Sequence, residues 1–485
     1  MFSWANIGSN EYLPLKNDRK AYLNQWAKRS GLAIAAICIL GILILAIVKL
    51  FCFKAIIFPI VGGSFNNGTN VFQSTVIVIS LDGFRADYLY RGFTPNLLSL
   101  AERNVHVPFL IPSFPSITFP NHYTIVTGLY PESHGIVSNN FFDPVTGKQF
   151  VNSMPECNKD PTWWDKGEPI WVNAERNNVR SAVHMWPGNE VENHGYRPTY
   201  SDGFNFDTTL REKKDRILEW LDLPDKDRPQ LLLAYAPHVD MVGHAFGPDS
   251  PELNIIIQEV DIVIGELIEG LKKRNIDKHV NIIFLSDHGM APTSDNRLIW
   301  LDNMFNLSAV AHRDAWPLGG FRGESDLDDE YIYESLVNYS RSSLPSAENW
   351  NVYSKKDIPS RWHYSNNERI APVWMIPDVG WSLVSMLDHS PELEYEPLGV
   401  HGYDNLSPVM RALFIASGSS FKNFKGKKLA PFQNTEIYGI LSHILDLPAQ
   451  PNNGTYEGAL PLRRNRNSTK EWLLKDIEQA YSKLI

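Results

Sequence analysis

Cysteine is nearly absent from this 485-residue chain, which contains three. Cys38 and Cys52 lie in an apolar N-terminal region, and Cys157 stands alone after it. No disulfide can therefore form within the remainder of the chain, which excludes a small secreted domain held together by cross-links. That part must be stabilised by its core and by bound metals, and we expect Cys157 to be a buried free thiol.

An excess of positive charge is also missing, because the formal net charge is −10 at pH 7. This balance argues against a surface that binds nucleic acid through its phosphates. An acidic protein that acts on an anionic substrate needs local positive charge, and a bound metal ion is the simplest source. The hydrophobic content of 43% is enough for a large core.

Charged residues are absent from positions 31–48. A helix of that length spans about 27 Å, close to the thickness of a bilayer core. A cleaved signal peptide is the alternative, but the apolar run starts late and no small-residue cleavage site follows it. Basic residues before the run predict a single-pass type II orientation. We predict a cytosolic tail over 1–30, a transmembrane helix over 31–53, a stalk over 54–71, a catalytic domain over 72–450 and a tail over 451–485 that packs on this domain.

Asn-x-Ser/Thr sequons support this orientation because all of them follow the predicted span. There are six: Asn67, Asn306, Asn338, Asn405, Asn453 and Asn467. Sequons are common by chance, so the sequence does not say which are glycosylated. We expect the catalytic domain to lie outside the cell or in the lumen of a secretory or vacuolar compartment, as a monomer or weak oligomer.

Strand-like runs alternate with helical patterns after the stalk. Buried strands are predicted over 75–81, 230–236, 280–286 and 413–416, and helices over 250–274 and 434–445. Such alternation is typical of an α/β fold with a mostly parallel central sheet and helices on both faces.

Aspartates and histidines follow three of these strands. Asp82 comes after the first strand, Asp240 and His244 after the second, and Asp287 and His288 after the third. The carboxyl ends of parallel strands meet at one edge of a sheet, where α/β proteins bind their ligands. An aspartate and a histidine four residues apart in a helix share a face and can bind one ion.

His401, which precedes the fourth strand, completes a set of three carboxylates and three imidazoles. Such a set suits two cations, with zinc as the first expectation. Two ions about 4 Å apart could hold the attacking and leaving oxygens of a phosphoryl transfer. Each group alone has an ordinary alternative, such as a helix cap or a surface pair. Their joint position at one predicted edge favours metal catalysis.

A proline-bracketed loop supplies a candidate nucleophile. Pro115 and Pro120 restrict the backbone on either side of Thr118, which holds its hydroxyl in a defined place. The loop leads into a predicted helix over 121–127. Alone, Thr118 could equally be a helix cap.

Six short motifs occur in one order along the chain. They are Ser-Leu-Asp-Gly-Phe-Arg at 80–85, Thr-Phe-Pro-Asn-His at 118–122, Thr-Gly-Leu-Tyr-Pro-Glu-Ser-His-Gly at 127–135, Gly-Glu-Pro-Ile-Trp at 167–171, Asp-His-Gly-Met at 287–290 and His-Gly-Tyr-Asp-Asn at 401–405. Together they resemble the nucleotide pyrophosphatase/phosphodiesterase (type I phosphodiesterase) family of the alkaline phosphatase superfamily. The resemblance implies an alkaline-phosphatase-like fold in a short form with only anchor and catalytic domain.

The resemblance also implies two Zn²⁺ ions per catalytic domain. One would be held by Asp240, His244 and His401, and the other by Asp82, Asp287, His288 and the Thr118 hydroxyl. Thr118 would attack phosphorus and form a phospho-threonine intermediate that water then hydrolyses. The Asn139 side chain and the Phe119 N–H would donate to a non-bridging phosphate oxygen.

Nucleotide substrates follow from the same resemblance, namely nucleoside triphosphates, dinucleotides and nucleotide sugars that release nucleoside 5′-monophosphates. Phe119 and Phe204 would stack on the base, and Lys166 would lie near the nucleotide. The ordinary alternative is a loop aromatic for Phe204 and a surface charge for Lys166. Asn140 stands where some relatives carry a lysine, which is expected to weaken the binding of highly charged substrates.

Two other functions remain open. A lipid-directed relative would cleave choline or lysophospholipid head groups, and it would need an anionic and aromatic cage for the ammonium that the sequence does not reveal. A non-catalytic surface protein would keep only the fold. The intact ligand set and Thr118 count against that reading.

Overall fold

The computed structural model describes residues 64–427, 429–458, 460–461 and 469–482. The predicted cytosolic tail, the predicted transmembrane helix and most of the stalk lie outside these residues, as do Cys38, Cys52 and the sequon at Asn467. Within the described ranges no helix is both long enough and apolar enough to cross a bilayer.

Two larger sheets organise the described part of the chain. Their strands are β1 (Val76–Leu81), β2 (Val105–His106), β3 (Ser181–His184), β4 (Tyr200–Asp202), β5 (Leu231–Ala236), β6 (Asn281–Leu285), β7 (His312–Asp314), β8 (Gly319–Arg322), β9 (Trp350–Ser354), β10 (Val373–Pro377) and β11 (Phe414–Ser417). The central sheet has the order β2-β11-β6-β1-β5-β3-β4, and the second sheet has the order β7-β8-β10-β9.

Parallel strands β5, β1 and β6 form the middle of the central sheet. The predicted α/β fold is therefore confirmed, with a mixed sheet. The predicted fourth strand is present as β11, but it runs antiparallel to β6. Its amino end, and with it the chain that follows His401, consequently lies at the edge where β1, β5 and β6 end.

Helices cover both faces of this sheet. The longer helices of the described chain are α1 (Pro95–Arg103), α2 (Thr118–Thr127), α3 (Ile170–Arg176), α4 (Leu210–Leu221), α5 (His238–Phe246), α6 (Pro251–Lys273), α7 (Asp326–Ser340), α8 (Glu436–Ile444) and α9 (Thr469–Tyr481). Of these, α7 packs on the second sheet instead. Shorter helices span Pro131–His134 and Pro155–Lys159, and 3-10 helices include Ala86–Tyr90 and Ser419–Phe424.

The β1 sequence explains why both faces are covered. Successive side chains of a strand point to opposite faces, and all six residues of β1 are apolar or small and buried. Val76 and Val78 pack into one core with α2, α3 and α8. Ile77 and Ile79 pack into the other core with α1, α4 and α6. A strand that is apolar on both faces can be stable only between two layers of helices.

The C-terminal helix α9 contacts the segment that follows β1. Leu473 packs with Ala86 and Phe109, and Asp476 accepts a hydrogen bond of 2.8 Å from Arg411. Cys157 is a free thiol, but it is half-buried rather than buried as predicted. Its short helix lies close to the surface, where the sulfur is 3.6 Å from the Gln149 carbonyl oxygen.

Candidate active site

The carboxyl ends of the three parallel strands place the predicted acidic residues side by side. Asp82 follows β1 directly, Asp240 lies in the first turn of α5 after β5, and Asp287 follows β6. All three carboxylates are buried. The strands therefore converge on one edge, as their sequences predict.

Thr118 is the first residue of α2, so the helix begins three residues before its predicted start. Ile117 before it is extended, and Pro120 fits because the first turn of a helix needs no N–H donor. Asn121 fixes the preceding loop, because its side chain accepts from the Ser113 N–H at 2.7 Å and donates to the Pro115 carbonyl at 2.9 Å. The Thr118 hydroxyl oxygen consequently lies 3.2 Å from His288 Nε2.

Two groups of side chains could each hold a metal ion. In one group, ligand atoms of Asp82, Asp287 and His288 lie within 4.8 Å of one another. His288 Nε2 is 3.4 Å from Asp82 Oδ1 and 3.0 Å from Asp287 Oδ2. This group matches the predicted site that includes Thr118.

The second group contains Asp240, His401 and again His288, within the same 4.8 Å limit. The predicted ligand His244 lies beside it, with Nε2 3.4 Å from Asp240 Oδ2 and 3.1 Å from His401 Nε2. The ring of His288 stacks on that of His401 with 3.6 Å between centroids. The two groups therefore adjoin, and all six predicted ligands and Thr118 meet in one place.

Backbone carbonyls orient the three imidazoles. Nδ1 of His244 lies 2.7 Å from the Gly399 oxygen, Nδ1 of His401 lies 2.9 Å from the Ser116 oxygen, and Nδ1 of His288 lies 2.9 Å from its neighbour's oxygen. A carbonyl only accepts, so each Nδ1 carries the proton and each Nε2 keeps its lone pair. Metal-binding histidines have this arrangement.

Buried carboxylate oxygens that accept no hydrogen bond indicate whether a cation would fit between these side chains. Asp82 Oδ1, Asp240 Oδ1 and Asp287 Oδ2 are such atoms, and each faces the imidazole nitrogens described above. A buried carboxylate oxygen without a hydrogen-bond donor lowers the stability of a fold by on the order of 1–3 kcal/mol or more. Carboxylates and imidazoles with free lone pairs are ligands that bind zinc well. The donor set therefore fits metal ions.

Mutual repulsion and burial perturb the ionisation of these groups. Burial and the neighbouring carboxylates of Asp287 and Asp240 raise the pKa of Asp82. Burial also opposes ionisation of Asp240, but His244 and then His401 outweigh it and lower its pKa to about 2. Burial and the nearby His288 lower the pKa of His401 to about 3. Neutral His401 is the form that binds a cation.

Asn139 and Phe119 lie next to Thr118, the predicted nucleophile. The Phe119 N–H donates to Asn139 Oδ1 at 2.9 Å, so the two predicted phosphate donors bond to each other. This bond fixes the Asn139 amide with its oxygen toward the helix start, and its Nδ2 is left as the side-chain donor. The role of both groups toward phosphate stays a prediction.

The predicted substrate residues outside the metal cluster are more exposed. The Phe119 ring is half-buried against Phe150 and Trp164. Phe204 is 42% exposed, and its ring centroid lies 6.1 Å from that of Tyr235. Lys166 is exposed and lies beside Gly135. Stacking by Phe204 and nucleotide binding by Lys166 stay predictions.

Two residues that the sequence reasoning missed contact the candidate metal ligands. Tyr235, near the end of β5, donates its hydroxyl to Asp82 Oδ2. His122, one helical turn after Thr118, lies with Nδ1 3.3 Å from Asp287 Oδ2 and Nε2 2.8 Å from the Ser80 hydroxyl. The spacing of four between Thr118 and His122, and a tyrosine in an otherwise apolar buried strand, were available signals.

Comparisons with known proteins agree with this geometry. Residues 76–404 match the family described as Type I phosphodiesterase / nucleotide pyrophosphatase. The chain is 37% identical over 398 residues to the venom phosphodiesterase of Macrovipera lebetinus, covering 81% of this chain and 46% of that protein. It is 36% identical over 401 residues to human bis(5′-adenosyl)-triphosphatase ENPP4, covering 82% of this chain and 83% of that protein.

A solved structure shares the fold. Murine ectonucleotide pyrophosphatase / phosphodiesterase 5, as an inactive variant in complex with AMP, is 35% identical with a TM-score of 0.71, covering 80% of this chain and 99% of that one. The chain spans about half the length of the venom phosphodiesterases it matches. From the match over most of the described fold and from the assembled ligand set, the chain belongs to the type I phosphodiesterase / nucleotide pyrophosphatase family.

Proposed function

We propose that this chain is a zinc-dependent hydrolase that cleaves phosphodiester and pyrophosphate bonds in nucleotides and releases nucleoside 5′-monophosphates. One observation carries the proposal: the Thr118 hydroxyl oxygen lies 3.2 Å from the imidazole nitrogen of His288, which both candidate metal groups share. A hydroxyl in that position is poised to act as a nucleophile.

Two sets of side chains would each hold one metal ion. Asp240, His244 and His401 would hold one Zn²⁺, and Asp82, Asp287 and His288 would hold the other next to Thr118. When bound, the two ions would lower the pKa of the Thr118 hydroxyl and neutralise charge on the phosphate.

The Thr118 oxygen would form a bond to phosphorus while the bond from phosphorus to the leaving alcohol or phosphate breaks. The hydroxyl proton leaves to solvent, and the product is a phospho-threonine ester that carries the nucleoside. Water then hydrolyses this ester, which releases the nucleoside 5′-monophosphate and restores Thr118. Asn139 Nδ2 and the amino end of α2 would stabilise negative charge on the phosphate oxygens.

Nucleotides are the proposed substrates because two relatives are named for them. The murine relative binds AMP, and the human relative is named for a dinucleoside triphosphate. Phe119 and Phe204 provide two aromatic rings at the site's edge, where a base could stack. Lys166 would bind substrate phosphate through its charge.

For localisation we propose a single-pass type II membrane protein whose catalytic domain lies in an extracytoplasmic compartment. Exposed sequons at Asn306, Asn338 and Asn453 support this proposal, because N-glycans are attached to accessible asparagines. Asn405 is buried and donates its Nδ2 to the Pro112 carbonyl at 2.9 Å. We therefore expect Asn405 to carry no glycan.

A substrate panel tests the activity. The detergent-solubilised full chain is offered a nucleotide 5′-phosphodiester, a phosphocholine ester and a phosphomonoester, with and without chelator. We expect hydrolysis of the nucleotide diester, lost with chelator and restored by zinc. Turnover of the phosphocholine ester alone would indicate a lipid-directed enzyme. No turnover of any ester with zinc restored would indicate a non-catalytic protein.

Thr118→Ala provides the matched variant for this assay. We expect it to abolish turnover while zinc content and the melting temperature stay close to those of the unmodified chain. Appreciable residual hydrolysis by Thr118→Ala would contradict the covalent route.

A further inference from the structure

Two segments of the chain border the second set of proposed metal ligands, which consists of Asp240, His244 and His401. Residues 238–247 comprise α5 and the glycine that follows it, and they carry the first two of these ligands. Residues 386–402 contain the third. The two segments are joined at the site, because the Leu398 N–H donates to the His244 carbonyl at 2.9 Å.

This second set of ligands lies where the leaving group of a substrate would depart. In a displacement at phosphorus, the attacking and leaving oxygens lie roughly in line, on opposite sides of the phosphorus. The predicted nucleophile Thr118 lies beside His288, at 3.2 Å. The leaving oxygen would consequently face the second set. The departing alcohol takes one proton from solvent, which replaces the proton that Thr118 releases.

Cationic side chains are absent from the sequence of both bordering segments. No lysine or arginine occurs at positions 229–271 or 370–410. Carboxylates do occur there, and three exposed ones shortly precede His401, namely Glu392, Glu394 and Glu396. A pyrophosphate leaving group carries several negative charges, so these carboxylates would repel it. An uncharged leaving group meets no such repulsion.

Apolar side chains are exposed on the same two segments. Met241 is 43% exposed and lies three residues before His244 on α5, so the two side chains are neighbours on the helix surface. Leu398 is 45% exposed and lies against Gly247 at the end of α5. Leu393, in the same loop, is 65% exposed. Exposed apolar side chains that are grouped in this way mark a binding surface.

An exposed tryptophan extends this surface on the side of His401. Trp316 is 38% exposed, and the next residue, Pro317, packs beside Gly402. Trp316 also lies beside Tyr395, within the second bordering segment. A tryptophan ring offers a large apolar area to a bound ligand. The surface beside the second set of ligands is therefore apolar and acidic.

We propose that this surface binds the leaving group of the substrate, and that the preferred substrates are nucleoside 5′-phosphodiesters of apolar, uncharged alcohols. The inference rests on the proposed nucleotide hydrolysis and names its substrate class. An alkyl chain that contacts Met241 and Leu398 is favoured in proportion to the apolar area removed from water. Nucleoside triphosphates are disfavoured, because their leaving group is pyrophosphate.

The methyl and hexyl esters of AMP measure the apolar contribution. The two leaving alcohols differ in length but little in acidity, so the chemical step is matched. We expect kcat/KM for the hexyl ester to be about three- to eightfold higher, as burial of about 30–50 Å² of apolar area predicts. Met241→Gln should bring the ratio close to one. The control Ile262→Gln should keep the ratio, because Ile262 is also exposed but lines a cleft near the start of β6, at the opposite edge of the sheet.

Equilibrium binding provides a readout that does not depend on turnover. Thr118→Ala lacks the predicted nucleophile, so both esters can be titrated into the zinc-loaded variant by calorimetry. The hexyl ester should bind about three- to eightfold more tightly than the methyl ester. Adding Met241→Gln to Thr118→Ala should remove this difference.

Removal of the three carboxylates tests the charge argument. The triple variant Glu392→Gln, Glu394→Gln, Glu396→Gln should raise kcat/KM for ATP relative to the AMP methyl ester by about fivefold or more at low salt. High salt should reduce this gain, because 1 M salt shortens the Debye length to about 3 Å.

A matched variant removes the same charge at the opposite edge of the central sheet. Glu269 and Asp277 line the cleft near the start of β6, and Glu102 is exposed next to a residue that lines it. Strands of this length separate the two edges by roughly 17–20 Å. The triple variant Glu102→Gln, Glu269→Gln, Asp277→Asn should therefore leave the ratio for ATP unchanged.

Three results would overturn the inference. Equal kcat/KM and equal affinity for the methyl and hexyl esters would show that the leaving alcohol does not contact this surface. An ATP ratio that changes equally in both triple variants, or in neither, would show that the carboxylates near His401 do not act on the leaving group. Absence of hydrolysis for both esters and ATP in the unmodified zinc-loaded chain would overturn the proposed activity, and the inference with it.

Discussion

Removal of the Tyr235 hydroxyl tests whether a residue that hydrogen-bonds to a predicted metal ligand contributes to metal affinity. Tyr235 donates this hydroxyl to Asp82, and its ring also packs edge-on against His122 with 4.8 Å between centroids. Tyr235→Phe keeps the ring and deletes one hydrogen bond to a buried carboxylate. Asp82 would then face the repulsion of Asp287 and Asp240 without this donor.

The expected loss of zinc affinity follows from the negative charge on Asp82, the hydrogen-bond acceptor. A hydrogen bond to a charged group contributes about 1.5–3 kcal/mol, which corresponds to roughly 10–150-fold in an equilibrium constant. Loss of a partner behind a metal ligand typically lowers metal affinity by about 10–100-fold. We therefore expect Tyr235→Phe to bind zinc about 10–100 times more weakly and to recover most of its hydrolysis in excess zinc.

Competition with a coloured chelator measures this zinc affinity. Tyr123→Phe is the matched control, because its hydroxyl is also buried but donates to the carbonyls of Trp164 and Gly167. The control should lose stability, by about 1–3 kcal/mol, and keep its zinc affinity. Unchanged zinc affinity in folded Tyr235→Phe, or an equal loss in both variants, would refute the reasoning.

Three further predictions concern substrate, glycans and metal removal. Phe204→Ala should raise KM for a nucleotide more than KM for a base-free ester, and equal effects in steady-state kinetics would show that Phe204 does not stack. Asn338→Gln should lower the apparent mass of the glycosylated protein on a gel by one glycan, whereas Asn405→Gln should leave the apparent mass unchanged. A change in apparent mass for Asn405→Gln would contradict the burial of Asn405. Chelation should lower the melting temperature, because a metal ion at about a thousand times its Kd stabilises the folded protein by about 4 kcal/mol. A melting curve that does not respond to chelator or zinc would show that the carboxylate cluster does not bind metal.

Periodicity and turn residues were sufficient to predict the sheet core. The runs that became β1, β5 and β6 are mostly apolar and rich in branched residues, and Asp82, Pro237 and Ser286 follow them directly. Their shared direction follows from the intervening helices, so the meeting of Asp82 and Asp287 at one edge was predictable. The antiparallel direction of β11 was not, because a short apolar run carries no signal of its direction.

The features that the sequence did not predict depend on contacts between residues that are distant in the chain. The spacing of four places His122 on the same face of the helix as Thr118, but only the fold brings it to Asp287. The early start of α2 depends on the extended Ile117 before it, which proline spacing alone does not define. Lys278 and Lys422 line one cleft at the other edge of the central sheet, a clustering of positive charge that the net charge of the whole chain does not reveal.

X-ray diffraction from zinc-loaded crystals, measured on both sides of the zinc absorption edge, tests the central claim most directly. Two anomalous peaks are predicted, one bounded by Asp240, His244 and His401 and the other by Asp82, Asp287 and His288, with the Thr118 hydroxyl against the second. No peak between these side chains, or peaks that lie away from Thr118, would contradict the account.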